Sequence, residues 1–228
     1  VMGSTLVRES DISILQNAGP EICVLSTKSY TSQLALLVLL VYTLVGNSLE
    51  GKSKLRELIR YIYYLTSWRM RLQIRNLAGR LEKVDHIYLI GRDFQYPTAI
   101  EAALKIKEVS YIHAEGYPAG EMKHGPLALI EEGLPVIIIA PKDKYFEKTL
   151  SNMQEVIARG GKIFFITDNK KDISNDNIRF GLRVPFLNEL LSPILLTGPL
   201  QLLAYHVALL KNCDIDKPRN LAKSVTVE

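Results

Sequence analysis

The sequence predicts an α/β protein with a doubly wound parallel sheet. Short apolar runs rich in β-branched residues alternate with longer stretches of helical pattern, which is typical of this fold class. The runs are nearly free of polar residues, as in PVIIIA at 135–140, and this composition suits strands covered on both faces. Strands are predicted at 21–25, 86–91, 135–140, 162–168 and 180–185, and helices at about 29–46, 51–80, 96–111, 144–159 and 187–211.

A segment rich in small hydroxyl residues, STKSYTSQ, joins the first predicted strand to the first helix. Backbone amides and hydroxyls at the start of a helix attract anions such as phosphate. Serine and threonine are also the usual helix caps, so capping alone is the alternative explanation. The helix contains the apolar run Leu34–Val45, which is shorter than the roughly 18 residues that span a bilayer. We therefore expect a core helix and no membrane segment.

The second predicted helix, residues 51–80, is amphipathic and rich in basic and aromatic residues. A helix on a membrane surface or on RNA has this composition. A connecting helix with a solvated basic face has it too, and this is the interpretation we adopt.

The chain divides into four predicted parts. From Asp85 onward the elements suffice for one complete domain, whereas the part before Lys52 offers only one strand and one helix. Such a pair is too small for an independent sheet, so it is expected to be the end of a preceding domain. The predicted parts are residues 1–50, the end of a first domain; 51–84, a connecting helix; 85–212, a complete second domain; and 213–228, a C-terminal tail.

Composition narrows the classes of function. The 28 basic and 24 acidic residues are interspersed, which argues against a nucleic-acid partner. Cys23 and Cys213 fit neither a disulfide framework nor a CxxC pattern, so we expect buried thiols in a cytoplasmic protein. No group of His, Cys and carboxylate residues has metal-ligand spacing. We therefore expect neither a metal nor a cofactor.

One stripe of the helix 96–111 carries ionisable residues. Glu101, Lys105, Glu108 and Ile112 follow one another at helical spacing. Surface salt bridges at this spacing are common, and they are the alternative to a functional role. The helix, however, runs directly into the irregular segment 113–133, so the stripe is a candidate site.

The segment HAEGYPAGEMKHGPLALIEEG combines kinking residues with two of the four histidines. It suits neither a regular helix nor a regular strand, and loops on a rigid scaffold often carry functional residues. Lys105, Glu108 and His124 could meet at one pocket mouth. A carboxylate base beside a lysine, with an imidazole that carries a proton to a ring oxygen, would suit proton transfer next to a carbonyl or imine carbon.

The last residues, PRNLAKSVTVE, are polar and lack a helical pattern. Tails of this kind are usually poorly ordered. A mobile tail could nevertheless carry the amine of Lys223 into a pocket. The amine would attack a carbonyl near neutral pH only in a desolvated, enclosed site.

Several of these segments together resemble a known family. They are STKSYTSQ, VRESD, the run from GRDFQYP through LIEEG, and the run from PLQLLAYH to the C-terminus. They look like the C-terminal isomerase portion of the glucosamine-6-phosphate synthases, which are glutamine:fructose-6-phosphate transaminases (isomerizing). The resemblance implies sugar isomerase (SIS) domains of the flavodoxin-like αβα sandwich type, with a parallel sheet, working as a dimer.

The resemblance also implies roles for particular residues. Glu108 matches the base that moves a proton between C1 and C2 of the sugar, and Lys223 matches the lysine that forms a Schiff base with the open-chain keto sugar. His124 matches the histidine that helps to open the sugar ring and reaches a neighbouring subunit's site. Lys105 matches a further active-site lysine. The residues that match the lining of the sugar site are Val24, Ser26 and Ala222.

The resemblance implies an enzyme that forms glucosamine 6-phosphate from fructose 6-phosphate and ammonia. The chain departs from the family in two ways. It lacks the glutaminase domain with its N-terminal cysteine nucleophile, and it lacks the serine- and threonine-rich phosphate loop of the first SIS domain. We therefore expect an isomerase portion with incomplete activity, and the alternative is a sugar-phosphate-binding or regulatory module without catalysis.

Overall fold

A computed structural model describes residues 2–168 and 178–223 of the chain. Its helices are α1 (Thr5–Glu9), α2 (Lys28–Leu44), α3 (Ser48–Leu65), α4 (Trp68–Leu81), α5 (Gln95–Ser110), α6 (Phe146–Ile157) and α7 (Ser192–Leu210). Its strands are β1 (His86–Gly91), β2 (His113–Pro118), β3 (Pro135–Ile139), β4 (Lys162–Thr167) and β5 (Ile178–Arg183). Two 3₁₀ turns, Ala119–His124 and Pro126–Leu129, follow β2.

The five strands form one parallel sheet in the order β2-β1-β3-β4-β5. Alternate residues of each strand point to opposite faces. On one face Ile87 and Leu89 join a core with α4, α5 and α7. On the other face Tyr88 and Ile90 join a second core with α6 and the 3₁₀ turns. The α/β prediction, with a flavodoxin-like sheet covered on both faces, is thus confirmed.

Helix α7 forms much of the first core. Among the described residues, it is the one helix long and apolar enough to cross a membrane by length and composition. It packs against α4 and α5, and the larger part of it is buried inside the protein. Its apolar character is therefore that of a core helix.

The predicted strand at 21–25 is wrong, because residues 21 and 22 have no regular structure and the chain bends at residues 23–25. Within the described chain, residues 21–25 make one backbone hydrogen bond of strand type. It runs from the Val24 amide to the Asp216 carbonyl, at 3.0 Å. A strand needs a ladder of such bonds with a neighbour. The described chain brings only a short irregular segment alongside these residues, so no ladder forms.

The single helix predicted at 51–80 is also wrong, because α3 ends at Leu65 and α4 begins at Trp68. Ser67 between them has extended backbone angles. The hydroxyl of Thr66 donates to carbonyls of the preceding turn, and such local bonds compete with helix continuation. Both helices bury one face in the first core, so the amphipathic pattern belongs to two packed helices.

The irregular segment begins with a strand that the sequence did not predict. Residues 113–118 pair with β1 as the edge strand β2. Gly116 makes this possible, because a Cβ atom there would lie 2.6 Å from the Cα atom of Ile100. The glycine therefore lets β2 pass close to α5, and only the part after Pro118 is irregular.

The expectation of a core helix at Leu34–Val45 is wrong, because α2 lies on the surface and none of its residues is fully buried. Leu34 and Val38 pack against the first core. Further along, the side chains are open: Val41 is 48% exposed and Leu44 is 76% exposed. A contiguous apolar face of this kind favours association.

We expect the chain to form a dimer or a larger species through this face of α2. Light scattering should then give at least twice the 25.7 kDa mass of one chain. Replacing both Val41 and Leu44 by Lys should shift the mass toward that of the monomer. Ile12→Lys is a matched control, because Ile12 is 81% exposed and does not belong to α2. A monomeric mass for the unchanged chain would contradict the prediction.

Candidate active site

Helix α5 gathers three ionisable side chains into one partly buried cluster. The Lys105 ammonium donates to the Glu108 carboxylate at 2.7 Å and lies 3.5 Å from a Glu101 carboxylate oxygen. The Lys105 side chain is only 4% exposed, and those of Glu101 and Glu108 are 13% and 22% exposed. Surface pairs at this spacing are common, but a lysine this deeply buried between two carboxylates is not a surface salt bridge.

The two carboxylates of the cluster differ in their surroundings. Burial raises the pKa of Glu101, and the positive charge of Lys105 opposes that rise. Glu108 has the shorter contact with Lys105 and remains more open to solvent. Of the two, Glu108 is thus better placed to accept a proton from a bound molecule.

A cavity of about 160 Å³ lies beside the cluster, with Lys105 in its wall. It is enclosed by the residues around the start of α2, by α5 and α7, and by the segment that follows α7. Its volume is below the usual range for a whole ligand site, so it would admit only part of a small molecule. The lining residues are Cys23, Leu25, Thr27, Lys105, Val109, Gln201, Ala204, Tyr205, Ile215 and Asp216.

The predicted anion site at the start of α2 is occupied by a carboxylate of the chain itself. Glu21 accepts hydrogen bonds from the Thr27 amide at 2.6 Å, the Lys28 amide at 3.0 Å and the Thr27 hydroxyl at 2.7 Å, and it also accepts one from the Ser29 hydroxyl. Burial raises the pKa of Glu21, but the bonds from Ser29 and Thr27 outweigh it and lower the pKa to about 2. The hydroxyls therefore serve a helix-capping carboxylate.

We expect Glu21→Gln to flatten the acid dependence of stability. A depressed pKa in the folded state means that the ionised carboxylate stabilises the fold above its ordinary pKa of 4.5. This contribution is lost as the pH falls from 4.5 toward 2. The loss of this cap in Glu21→Gln should lower the free energy of unfolding by about 1 kcal/mol at pH 7 and by less near pH 3. Urea unfolding at the two pH values, with the exposed Glu50→Gln as control, measures the difference. An equal loss of unfolding free energy at the two pH values would contradict the prediction.

The residues predicted to line a sugar site lie around this cavity or in the tail. Val24 is tied to Asp216 through its amide, and Ser26 lies between the lining residues Leu25 and Thr27. Ala222 and Lys223 are exposed in the tail. Burial raises the pKa of the Cys23 thiol, and the charge of Lys223 partly offsets this rise. The Lys223 amine is therefore within electrostatic reach of the cavity wall.

His124 lies elsewhere in the single chain. It ends the first 3₁₀ turn, its side chain is 67% exposed, and its nearest carboxylate is that of Glu121 at 3.9 Å. It is not among the cavity-lining residues. Of the trio predicted to meet at one pocket mouth, the described chain thus brings Lys105 and Glu108 together without His124.

Several residues of the site were not predicted from the sequence. Glu21, Cys23, Gln201 and Asp216 reach it through tertiary contacts. Gln201, for example, donates from α7 to the Thr27 carbonyl at 3.3 Å. No local pattern marks such residues. The acidic residue shortly before a hydroxyl-rich helix start is the one signal that could have pointed to Glu21.

The fold and the site define a doubly wound α/β protein with a buried ion-pair cluster beside a small cavity. The chain belongs to the SIS domain family, whose model matches residues 80–211. It is 48% identical over its full length to glutamine--fructose-6-phosphate aminotransferase [isomerizing] of Salmonella typhimurium, and it is equally similar to the Escherichia coli K12 protein of that name. The chain spans 38% of the length of these relatives.

Solved structures agree with this assignment. The C-terminal domain of glucosamine-fructose-6-phosphate aminotransferase from Francisella tularensis superposes with a TM-score of 0.84 at 41% identity, covering 95% of this chain and 63% of that one. Glucosamine-6-phosphate deaminase from Thermotoga maritima gives a TM-score of 0.74 at 25% identity, covering 98% of this chain and 64% of that one. The resemblance to the SIS portion of the synthase family is thus confirmed.

Proposed function

We propose that the chain is the sugar-phosphate isomerase portion of a glutamine--fructose-6-phosphate aminotransferase. It would convert fructose 6-phosphate to glucosamine 6-phosphate when ammonia is supplied, and to glucose 6-phosphate without ammonia. The single observation that carries this proposal is the buried Lys105 in the wall of the cavity, with the Glu108 carboxylate hydrogen-bonded to its ammonium at 2.7 Å. The high identity to the aminotransferases supports it.

In the proposed mechanism each group has one task. The amine of Lys223 attacks the C2 carbonyl of the open-chain ketose, and water leaves as the imine forms. Ammonia then adds at C2 and displaces the lysine amine, which leaves the free sugar imine; without ammonia, water displaces the lysine amine and restores the C2 carbonyl. Glu108 takes a proton from C1 and returns it at C2, while Lys105 holds its carboxylate by a 2.7 Å hydrogen bond. Val24, Ser26 and Ala222 would line the sugar. His124 would assist ring opening at a neighbouring subunit's site, which its exposure on the surface permits.

The surrounding organisation is part of the same proposal. Residues 85–212 would be a complete SIS domain, 1–50 the end of a preceding one, 51–84 the connection and 213–228 the catalytic tail. The working form would be a cytoplasmic homodimer. Glutamine hydrolysis would lie outside this chain, in line with the 38% of the relatives' length that it spans.

The isomerisation of fructose 6-phosphate tests the proposal. The assay compares this chain with a chimera in which the preceding part of the Salmonella typhimurium relative is joined ahead of it. We expect the chimera to turn over and the chain alone to be slow or inactive. If neither turns over but both bind the sugar phosphate, the binding-module alternative replaces the enzyme.

A further inference from the structure

The residue that follows α5 makes a double contact with the C-terminal tail. Tyr111 adopts the left-handed conformation, with φ of 60°, which is costly for a residue with a Cβ atom. Its hydroxyl accepts a hydrogen bond from the Arg219 amide at 2.9 Å. The Arg219 guanidinium lies 4.1 Å above the centre of the tyrosine ring. One side chain therefore holds both the backbone and the side chain of Arg219.

The tail has earlier anchors as well. The Cys23 thiol donates to the Ile215 carbonyl at 2.9 Å, and the Val24 amide donates to the Asp216 carbonyl at 3.0 Å. In the part of the chain that the structure describes, the contacts of Arg219 are the last hydrogen-bonded anchor before Lys223. Lys223 therefore lies four residue steps beyond Arg219, with three residues between them.

The position of this anchor matters for the reach of the amine. A chain of four residues spans at most about 14 Å, whereas the seven residues from Asp216 span about 25 Å. Shortening a flexible tether raises the effective concentration of its end at a nearby site. Tyr111 also lies three residues after Glu108, at the same end of α5. The anchor thus ties the tail to the element that carries the proposed base.

We propose that Tyr111 is a positioning residue that clamps the tail at Arg219 and so keeps the Lys223 amine close to Glu108. The inference rests on the proposed function, because it assigns Tyr111 a part in imine formation. The ring contributes a cation–π contact with Arg219, and the hydroxyl contributes a hydrogen bond to its backbone. Loss of the whole side chain should release the tail, and loss of the hydroxyl alone should release it partly.

The clamp can be tested on the chain itself by limited trypsin digestion. Cleavage after Arg219 removes the end of the tail, and it requires local release of that residue. We expect cleavage there about fivefold faster in Tyr111→Leu and about twofold faster in Tyr111→Phe, because local opening exposes the bond. Tyr63→Leu, at a 75% exposed site on α3, should match the unchanged chain. Unchanged cleavage in both Tyr111 variants would overturn the clamp.

The effect of the Tyr111 clamp on catalysis is tested in the chimera. We expect Tyr111→Leu to lower kcat about tenfold with KM for fructose 6-phosphate within about twofold, since misplacement of a reacting group affects the chemical step. In Tyr111→Leu, borohydride reduction of the imine to a secondary amine should label Lys223 about tenfold more slowly than in the unchanged chimera. Tyr111→Phe should keep most of the unchanged kcat and most of the unchanged labelling rate. A variant that folds but merely loses stability would keep its kcat when measured below its melting temperature.

The outcomes separate the clamp from the proposed function. Normal kcat and labelling in Tyr111→Leu would refute the clamp and leave the isomerase proposal standing. Absence of label on Lys223 in the unchanged chimera, with turnover intact, would refute the role of Lys223 and the clamp with it. Absence of turnover in the unchanged chimera would refute the proposed function.

Discussion

Replacing Glu108 by Gln in the active chimera should lower the rate of fructose 6-phosphate isomerisation by at least about 100-fold, while KM stays within a few fold. Loss of a general base commonly costs about 100- to 10,000-fold. The amide keeps the size of the carboxylate and can still contact Lys105, which lies 2.7 Å away, but it cannot take a proton from C1. Steady-state kinetics with a coupled assay for glucose 6-phosphate measures both constants.

The chain offers a matched control for this substitution. Lys54 and Glu57 on α3 have the same i, i+3 spacing, but their carboxylate and ammonium lie 3.8 Å apart and both side chains are about two-fifths exposed. Glu57→Gln should leave kcat and KM unchanged, since exposed pairs contribute little. A rate for Glu108→Gln equal to that of Glu57→Gln would end the assignment of Glu108 as the base.

The site could be predicted from the sequence only where it depends on local spacing. Glu101, Lys105 and Glu108 share a helix, so helical periodicity alone places them side by side. The structure confirms the contacts at 3.5 and 2.7 Å. How deeply they are buried could not be predicted, because burial depends on α7 and the segment after it, which the same periodicity does not place.

The errors in the fold have a related cause. EICVL has a strand-like composition, but β structure requires a ladder of backbone hydrogen bonds, and in the described chain the backbone of residues 21–25 makes one such bond, to Asp216. Conversely, HAEGYP looks irregular because of its Gly and Pro, yet it pairs with β1 along six residues. In both cases the tertiary environment overrode local propensity, as is common for strands. The contact of Tyr111 with Arg219, 108 residues apart, is likewise a product of the assembled fold.

Replacing Lys105 by Met should destabilise the folded chain by about 3 kcal/mol at pH 8, because the substitution leaves two partly buried carboxylates side by side without a counter-charge. Lys54→Met removes a lysine of the same spacing at a site that is 40% exposed, and it should cost no more than about 1 kcal/mol. Urea unfolding of the unchanged chain and the two variants measures the difference. Equal costs for the two substitutions would show that the buried cluster contributes no more than a surface pair.

The cost of Lys105→Met should also depend on pH in a definite direction. Burial already raises the pKa of Glu101, and Lys105 is the main influence that lowers it, so removing the ammonium raises the pKa further. A carboxylate whose pKa is raised in the folded state destabilises that state as the pH rises through the folded pKa. The cost should therefore be smaller at pH 5 than at pH 8, and Glu101→Gln added to Lys105→Met should remove most of this difference. If the cost is the same at both pH values, the ionised Glu101 is not its source, and the lost packing of the lysine side chain would have to account for it.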